Sequence, residues 1–297
     1  MLKASLYQEE APPSPLQQTW LEFSKSHTAF FGLFCMCFFV LLITVGPFLT
    51  PYSPLEQNTD ALLVPPAWTA SGGIDYMLGT DALGRDVLSR VIHGTQVTLG
   101  VSIFLVVVSM SIGIVIGAFA GMSRGVQSSI LNHLLDSIMA IPTLLIAIII
   151  VAILGPGLVN SMWAITLALI PQFIHYTRDA VRNELRKPYA VAAKLDGASK
   201  SHMFLSTIFP NIVEMLVVRG TQALSTAILD ISALGFLSLG VQAPATELGA
   251  MLSEGLDIAY IAPWSIAAPG GAIFLMILSI NLVGDGLRTA LHNRFLH

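Results

Sequence analysis

Glu214, Arg219 and Asp230 are three formal charges inside the otherwise uncharged stretch 212–239. Ionised groups at such positions are costly, so they face a polar interior or reach back to the surface. Two acids flanking a base can relay protons or hold an ion along a path. For Arg219 the other reading is a snorkelling position one or two turns from the membrane edge. Asp230, eleven residues or about three turns further on, either faces a cavity or packs. A second charged set comprises Gly79, Thr80, Asp81, Gly84, Arg85, Asp86, Ser89 and Arg90. Thr80 or Asp81 suits a helix N-cap. Asp81/Arg85 and Asp86/Arg90 are acid-to-base pairs four apart, the better polarity for helix support. On spacing alone this is a solvated helix surface. Bond-making chemistry has no foothold, because the sequence holds no HExxH, no Cys–His cluster and no nucleophile elbow. Gly197-Ala198-Ser199-Lys200-Ser201 lacks the upstream glycine of a phosphate loop. Cys35 and Cys37 point to different faces of a helix, which predicts neither a metal site nor a disulfide.

The elements that hold these residues are membrane spans. Hydrophobic residues make up 54% and charged residues 11%, with mean hydropathy +0.75, where soluble domains carry about 25% charge. A net charge of −4 gives no reason to expect nucleic acid. Residues 29–49 form a first span with no cleavage signal after it, and residues 97–120 a second. No formal charge lies between Asp136 and Arg178. As one helix that run would be about 60 Å long, twice the hydrocarbon core, so it must fold back. Gly155-Pro156-Gly157 is the breaker, which predicts spans near 137–154 and 158–177. A fifth span covers 212–239 despite its charges. A sixth lies within 258–284, bent or starting late because of Pro263 and Pro269.

Basic residues fix the orientation. Lys3, Lys25, Arg124, Arg178, Arg182, Arg186, Lys187, Lys194, Lys200, Arg288 and Arg294 fall on one side, and only Arg85 and Arg90 on the other. The positive-inside rule places both termini and the 178–211 loop in the cytoplasm. The expected organisation is a tail at 1–28, a first helix at 29–49, an outer segment at 50–96, a transmembrane domain at 97–288 and a tail at 289–297. The outer loops are acidic, with Glu247, Glu254 and Asp257 unopposed, which would raise local cation concentration. Gly113, Gly117 and Gly121 lie on one face of the second span and predict a close helix contact.

Four stretches resemble one family. In the loop Tyr189–Asn211, Ala192 and Ala193 precede Gly197 by four residues from the second alanine, and Pro210 follows thirteen later. This resembles the EAA loop with which ABC-importer permeases dock their ATPases, and Lys194 lies within it. Val191 replaces the usual glutamate, and Thr207 and Phe209 replace the usual isoleucine and leucine. The segment from Leu78 to Arg90 resembles the LGTDxxGRDxxSR signature of dipeptide, oligopeptide and nickel permeases. Phe236–Gln242 is similar to the FLGLGxQ stretch, with Ser238 where glycine is usual. Asn281, Gly284, Asp285 and Arg288 match the NxxGDxLR ending.

The resemblance implies an all-α polytopic protein of the bacterial inner membrane, with six transmembrane helices in the type I ABC importer permease fold. It implies a heterodimer with a second homologous permease, two cytoplasmic ATP-binding subunits and a periplasmic solute-binding protein. It implies no catalysis and no cofactor bound by this chain, ATP being used by the partner subunits. Peptides are the expected substrates, cationic antimicrobial peptides among them, with the polyamine putrescine or nickel, or export, as alternatives. From another class, a proton-driven secondary carrier would use Glu214, Arg219 and Asp230 as its relay. The sequence contains no inverted repeat to support that.

Overall fold

The computed structural model describes residues 14–123 and 126–294. Lys3 and Arg124 of the orientation argument, and the outer ends of both tails, lie outside them. Among the described residues the regular structure is helical. α1 (Pro15–Ser24) opens with a capping box in which Ser14 and Gln17 satisfy each other's backbone N–H, and proline fills its first turn. Ser26 caps α2 (His27–Leu49), the first span. α3 (Val87–Met122) follows the outer segment, then α4 (Val126–Met139), α5 (Thr143–Leu154) and α6 (Leu158–Glu184). Two short helices, α7 (Pro188–Leu195) and α8 (Lys200–His202), lead into α9 (Phe209–Phe236), and α10 (Leu248–Leu256) precedes α11 (Trp264–Arg294).

Five helical stretches are long and apolar enough to cross a membrane: α2, α3, α6, the run Lys200–Phe236 that ends as α9, and Trp264–Asn293 of α11. The charged fifth span is therefore a helix, and the sixth starts late. The third expected span is bent: residues 132–139 of α4 and 143–154 of α5 together are long and apolar enough to make a sixth candidate, broken by a bend of 86°. Pro142 causes it, since the residue before a proline is pushed out of the helical region. α5 alone has 12 residues, about 18 Å, too short to cross.

The centre of the body is α3 against α6. A Cβ on Gly113 would sit 2.3 Å from Phe173 Cβ, one on Gly117 2.7 Å from the Ile174 carbonyl oxygen, and one on Gly121 2.8 Å from Val181 Cβ. The glycine face thus has α6 as its partner, and dispersion between two touching backbones replaces side-chain packing. Leu105, Leu169, Phe173, Ala227, Ile231 and Leu234 continue this core into α9. A second cluster joins α2, α9, α10 and α11 through Phe39, Ile228, Leu248 and Met276. Cys37 is exposed on α2 and Cys35 half-buried, as expected of lipid-facing or packing positions.

Candidate functional site

The outer signature is not a solvated helix. Gly79 (φ +79°) and Gly84 (φ +71°) turn the chain into a loop, a backbone geometry that side chains with a Cβ rarely adopt. Thr80 is fully buried, donating to the Ala61 carbonyl at 2.6 Å and accepting from Val64 N–H at 2.8 Å. Neither Thr80 nor Asp81 caps a helix. Asp86 does, accepting from the N–H and hydroxyl of Ser89 at 2.8 and 2.6 Å. The Asp81/Arg85 pair forms at 2.7 Å, but Arg90 pairs with Asp81 at 2.5 Å rather than with Asp86. Glu254 of α10 then bridges both arginines, at 2.6 Å to Arg85 and 2.9 Å to Arg90. Two acids and two bases close a compact network that fastens the outer segment to α10. Trp264 adds an indole N–H to the Thr80 carbonyl at 2.9 Å.

This corrects the electrostatics of the outer face. Glu254 is neutralised by arginines. Glu247 is fully buried, accepting from the Thr98 hydroxyl at 2.8 Å and capping α10 through Ala250 N–H at 2.9 Å. Burial pushes its carboxyl up, against the N–H groups of Gly249 and Ala250 and the hydroxyls of Thr98 and Ser232, which pull it down. Neither acid is free to concentrate cations.

The charges in the fifth span separate. Asp230 is 5% exposed and lies beside Thr143, the first residue of α5. Pro142 precedes that helix without a side-chain cap, so a carboxylate there complements the positive end of α5. Arg219 is held by two neighbours. Its guanidinium lies 4.4 Å from the centroid of the Tyr176 ring on α6 and donates to Gln222 Oε1 at 3.0 Å. Arg219 and Gln222 line two adjoining cavities. One, of about 130 Å³, includes Gln172, Tyr176 and Thr226; the other, of about 230 Å³, includes Asn211, Glu214 and Arg288. Together they make one polar cleft along α9. The sequence marks Glu214 and Arg219 as path candidates and Arg288 only as a signature residue, and it does not single out Gln172, Tyr176, Gln222 or Thr226. Those polar side chains recur on α9 and α6 at helical spacing, the signal that was available.

The C-terminal motif supports that cleft. Asn281 accepts from the Ser225 hydroxyl at 2.8 Å, and Gly284 lets α11 reach α9, since a Cβ there would meet Thr221 Oγ1 at 2.5 Å. Asp285 is exposed on another side. In the preceding motif, Ser238 has φ +59°. It ends α9 in a Schellman turn, Leu239 N–H reaching Leu234 O at 2.9 Å and Ser238 N–H reaching Gly235 O at 3.0 Å.

The loop after α6 forms a surface element. Glu184, 8% exposed, accepts from Lys187 at 2.7 Å and from the Tyr189 hydroxyl, tying the end of α6 to α7. Burial, then the Glu184 carboxylate, pushes the Tyr189 phenol up to about 12. α7 ends in a second Schellman turn. Gly197 (φ +84°) donates to Lys194 O at 3.2 Å and Ala198 to Ala193 O at 3.1 Å. Ala190 is buried and Ala193 half-buried against Ile208, Ile212 and Leu216. Ala192, Lys194 and Gly197 are exposed, with Leu195 83% exposed and Val191 46%. Pro210 opens α9 directly after a π-helical turn, Met203–Ile208. Within that wider turn the Phe209 N–H reaches the Phe204 carbonyl.

A bundle of membrane-length helices with a polar cleft and a projecting short helix has the make-up of a polytopic membrane protein. Residues 113–297 match the family described as the binding-protein-dependent transport system inner membrane component, and residues 14–66 match the N-terminal transmembrane domain of oligopeptide transport permease C. The chain belongs to this family of ABC-transporter permeases. It is 44% identical over 287 residues, 97% of either chain, to the peptide transport system permease protein SapC of Escherichia coli O6:H1. It is 43% identical over 279 residues, 94% of this chain and 92% of the other, to the di/tripeptide transport system permease protein DppC of Pseudomonas aeruginosa. A solved structure of the inward-facing MetNI methionine ABC transporter has the same fold, with a TM-score of 0.53 and 19% identity over 68% of this chain and 96% of that one. The chain is accordingly a multi-pass protein of the bacterial inner membrane and a transport component rather than a catalytic subunit.

Proposed function

We propose that this chain is the peptide-conducting subunit of an ABC transporter, paired with a second homologous permease and driven by two separate ATPases. The observation that carries this reading is α7. It is a short helix of small residues, tied to the body by Glu184 and Ala193, that presents Val191 and Leu195 outward. Apolar side chains exposed on the outer side of a helix whose other side packs on the spans make a surface for a partner to cover. Lys187, Lys194 and Lys200 flank it, and with both termini they belong on the cytoplasmic side. ATP is bound and used by the partners, and a periplasmic solute-binding protein delivers substrate to the opposite face.

Peptides are the substrate class, in keeping with the names of the SapC and DppC relatives. The cleft holds Arg219 and Arg288 against Glu214, a balance that disfavours putrescine or nickel, which carry no anionic group. A cationic peptide still brings a carboxylate. The split between Asp230, sealed beside α5, and the Arg219 cleft also disfavours a proton relay through all three charges. The test is transport by the assembled complex in liposomes, with a labelled tripeptide and putrescine compared. Uptake of the tripeptide that requires ATP is expected. Uptake driven by a proton gradient without ATP would replace this reading with the secondary carrier.

A further inference from the structure

The polar cleft along α9 holds a guanidinium whose charge is not neutralised. Among the described residues Arg219 forms no ion pair, and its contacts are the face of Tyr176 and the amide of Gln222. Both are neutral. An arginine within a membrane span is costly, and here two side chains hold it in place. Only Nη1 is engaged by Gln222. The opposite edge, Nε with Nη2, is the fork that fits a carboxylate through two parallel hydrogen bonds. Gln172 and Thr226 line the same cavity, and Arg288 stands further along the cleft.

We propose that this cleft is a subsite for the C-terminal carboxylate of the peptide in transit, with Arg219 as the recognising group and Tyr176 and Gln222 as positioning residues. The inference rests on the peptide-permease reading above. A carboxyl terminus is the one anion shared by peptides of every side-chain composition, so a subsite for it lets a permease accept varied sequences. The neutral holders leave the guanidinium charged and partly desolvated, which strengthens its attraction for an anion. Glu214 lines the same cleft but forms no ion pair with Arg219, so the fork is open to the peptide, which can also leave.

The experiment compares initial transport of one tripeptide as free acid and as C-terminal amide, using the complete complex with its binding protein in liposomes. The binding protein is the same throughout, so a change in the acid-to-amide ratio between variants arises in the membrane subunits. Arg219→Gln should lower transport of the free acid about tenfold or more, the scale of a lost charge-assisted hydrogen bond, and leave the amide within about threefold. Arg219→Lys should retain part of the preference. Gln222→Leu keeps the arginine but removes its orienting amide, and should reduce the ratio in the same direction by a smaller factor. It serves as the second variant should Arg219→Gln not assemble. An acid-to-amide ratio unchanged in the assembled variants, with both peptides slowed equally, would overturn the subsite and leave Arg219 as a packing residue. Failure of the wild-type complex to move either peptide would instead overturn the peptide-permease reading itself.

Discussion

Replacing Asp81 by asparagine tests whether the outer signature is a buried ionic fastener. Asp81 Oδ2 takes Arg85 Nε at 2.7 Å and Arg90 Nη1 at 2.5 Å, while Oδ1 accepts the N–H groups of Leu83 and Arg85 at 2.9 and 3.0 Å. The side chains of Asp81 and Arg90 are 9% and 3% exposed. With both acids present the two guanidinium charges are balanced; without Asp81 one buried positive charge is left over. The asparagine amide also turns donors toward donors. Breaking one side of a buried pair costs about 3–5 kcal/mol. Glu254 makes two similar contacts, but its side chain is 40% exposed, so water replaces it and Glu254→Gln should cost about 1–2 kcal/mol. Thermal unfolding of the purified protein in detergent reads both. At roughly 2–4 °C per kcal/mol, the Asp81 variant should fall at least twice as far as the Glu254 variant. Equal losses, or a larger one for Glu254→Gln, would refute the argument from burial.

Local backbone geometry sets three further outcomes, and the charge distribution a fourth. Ser238 occupies a left-handed position at a cost of about 1 kcal/mol, so Ser238→Gly should raise the unfolding midpoint, and a lowered midpoint would contradict this. Gly117→Ala must push α3 from the α6 backbone and should destabilise by about 1–3 kcal/mol. Gly220→Ala, whose Cβ would meet only Met110 Sδ at 3.6 Å, should be neutral or stabilising in the same unfolding assay. After Cys35 and Cys37 are replaced, a cysteine at Ser199 should label only from the cytoplasm and one at Thr69 only from outside; labelling of both from one side would end the proposed orientation.

Hydrophobic runs made the long helices legible, the charged α9 included, because a run of apolar residues constrains a span whatever its few charges do. The glycine face of α3 was legible as a contact, though its partner α6 was not, since spacing describes one surface only. The bend between α4 and α5 was not legible, because Pro142 lies inside an uncharged run whose length suggested a straight crossing. At the outer signature, i,i+4 spacing suggested helical pairs, whereas Gly79 and Gly84 make the segment a loop. The true second partner, Glu254, lies 164 residues from Arg90 and no local rule reaches that far. Ser238 is the reverse case: its departure from the family's glycine falls at a left-handed turn. In the α7 loop, Ala193 faces the body rather than outward. An aspartate there would disturb the fold as well as any docking, which makes Leu195 the cleaner probe.

Recovery of the ATPase subunits with the affinity-purified permease pair therefore tests the central claim most directly. Leu195 is 83% exposed, so Leu195→Asp should leave folding and insertion within about 0.5 kcal/mol of the wild type. If a partner covers it, the loss of roughly 1.5–3 kcal/mol of apolar burial, together with an aspartate forced into the contact, should release the ATPases. Lys194→Ala, removing an exposed charge worth about 0–1 kcal/mol, should be mild. Leu195→Asp should give an intact permease pair stripped of ATPase and unable to transport. Undiminished ATPase recovery with that variant would contradict it.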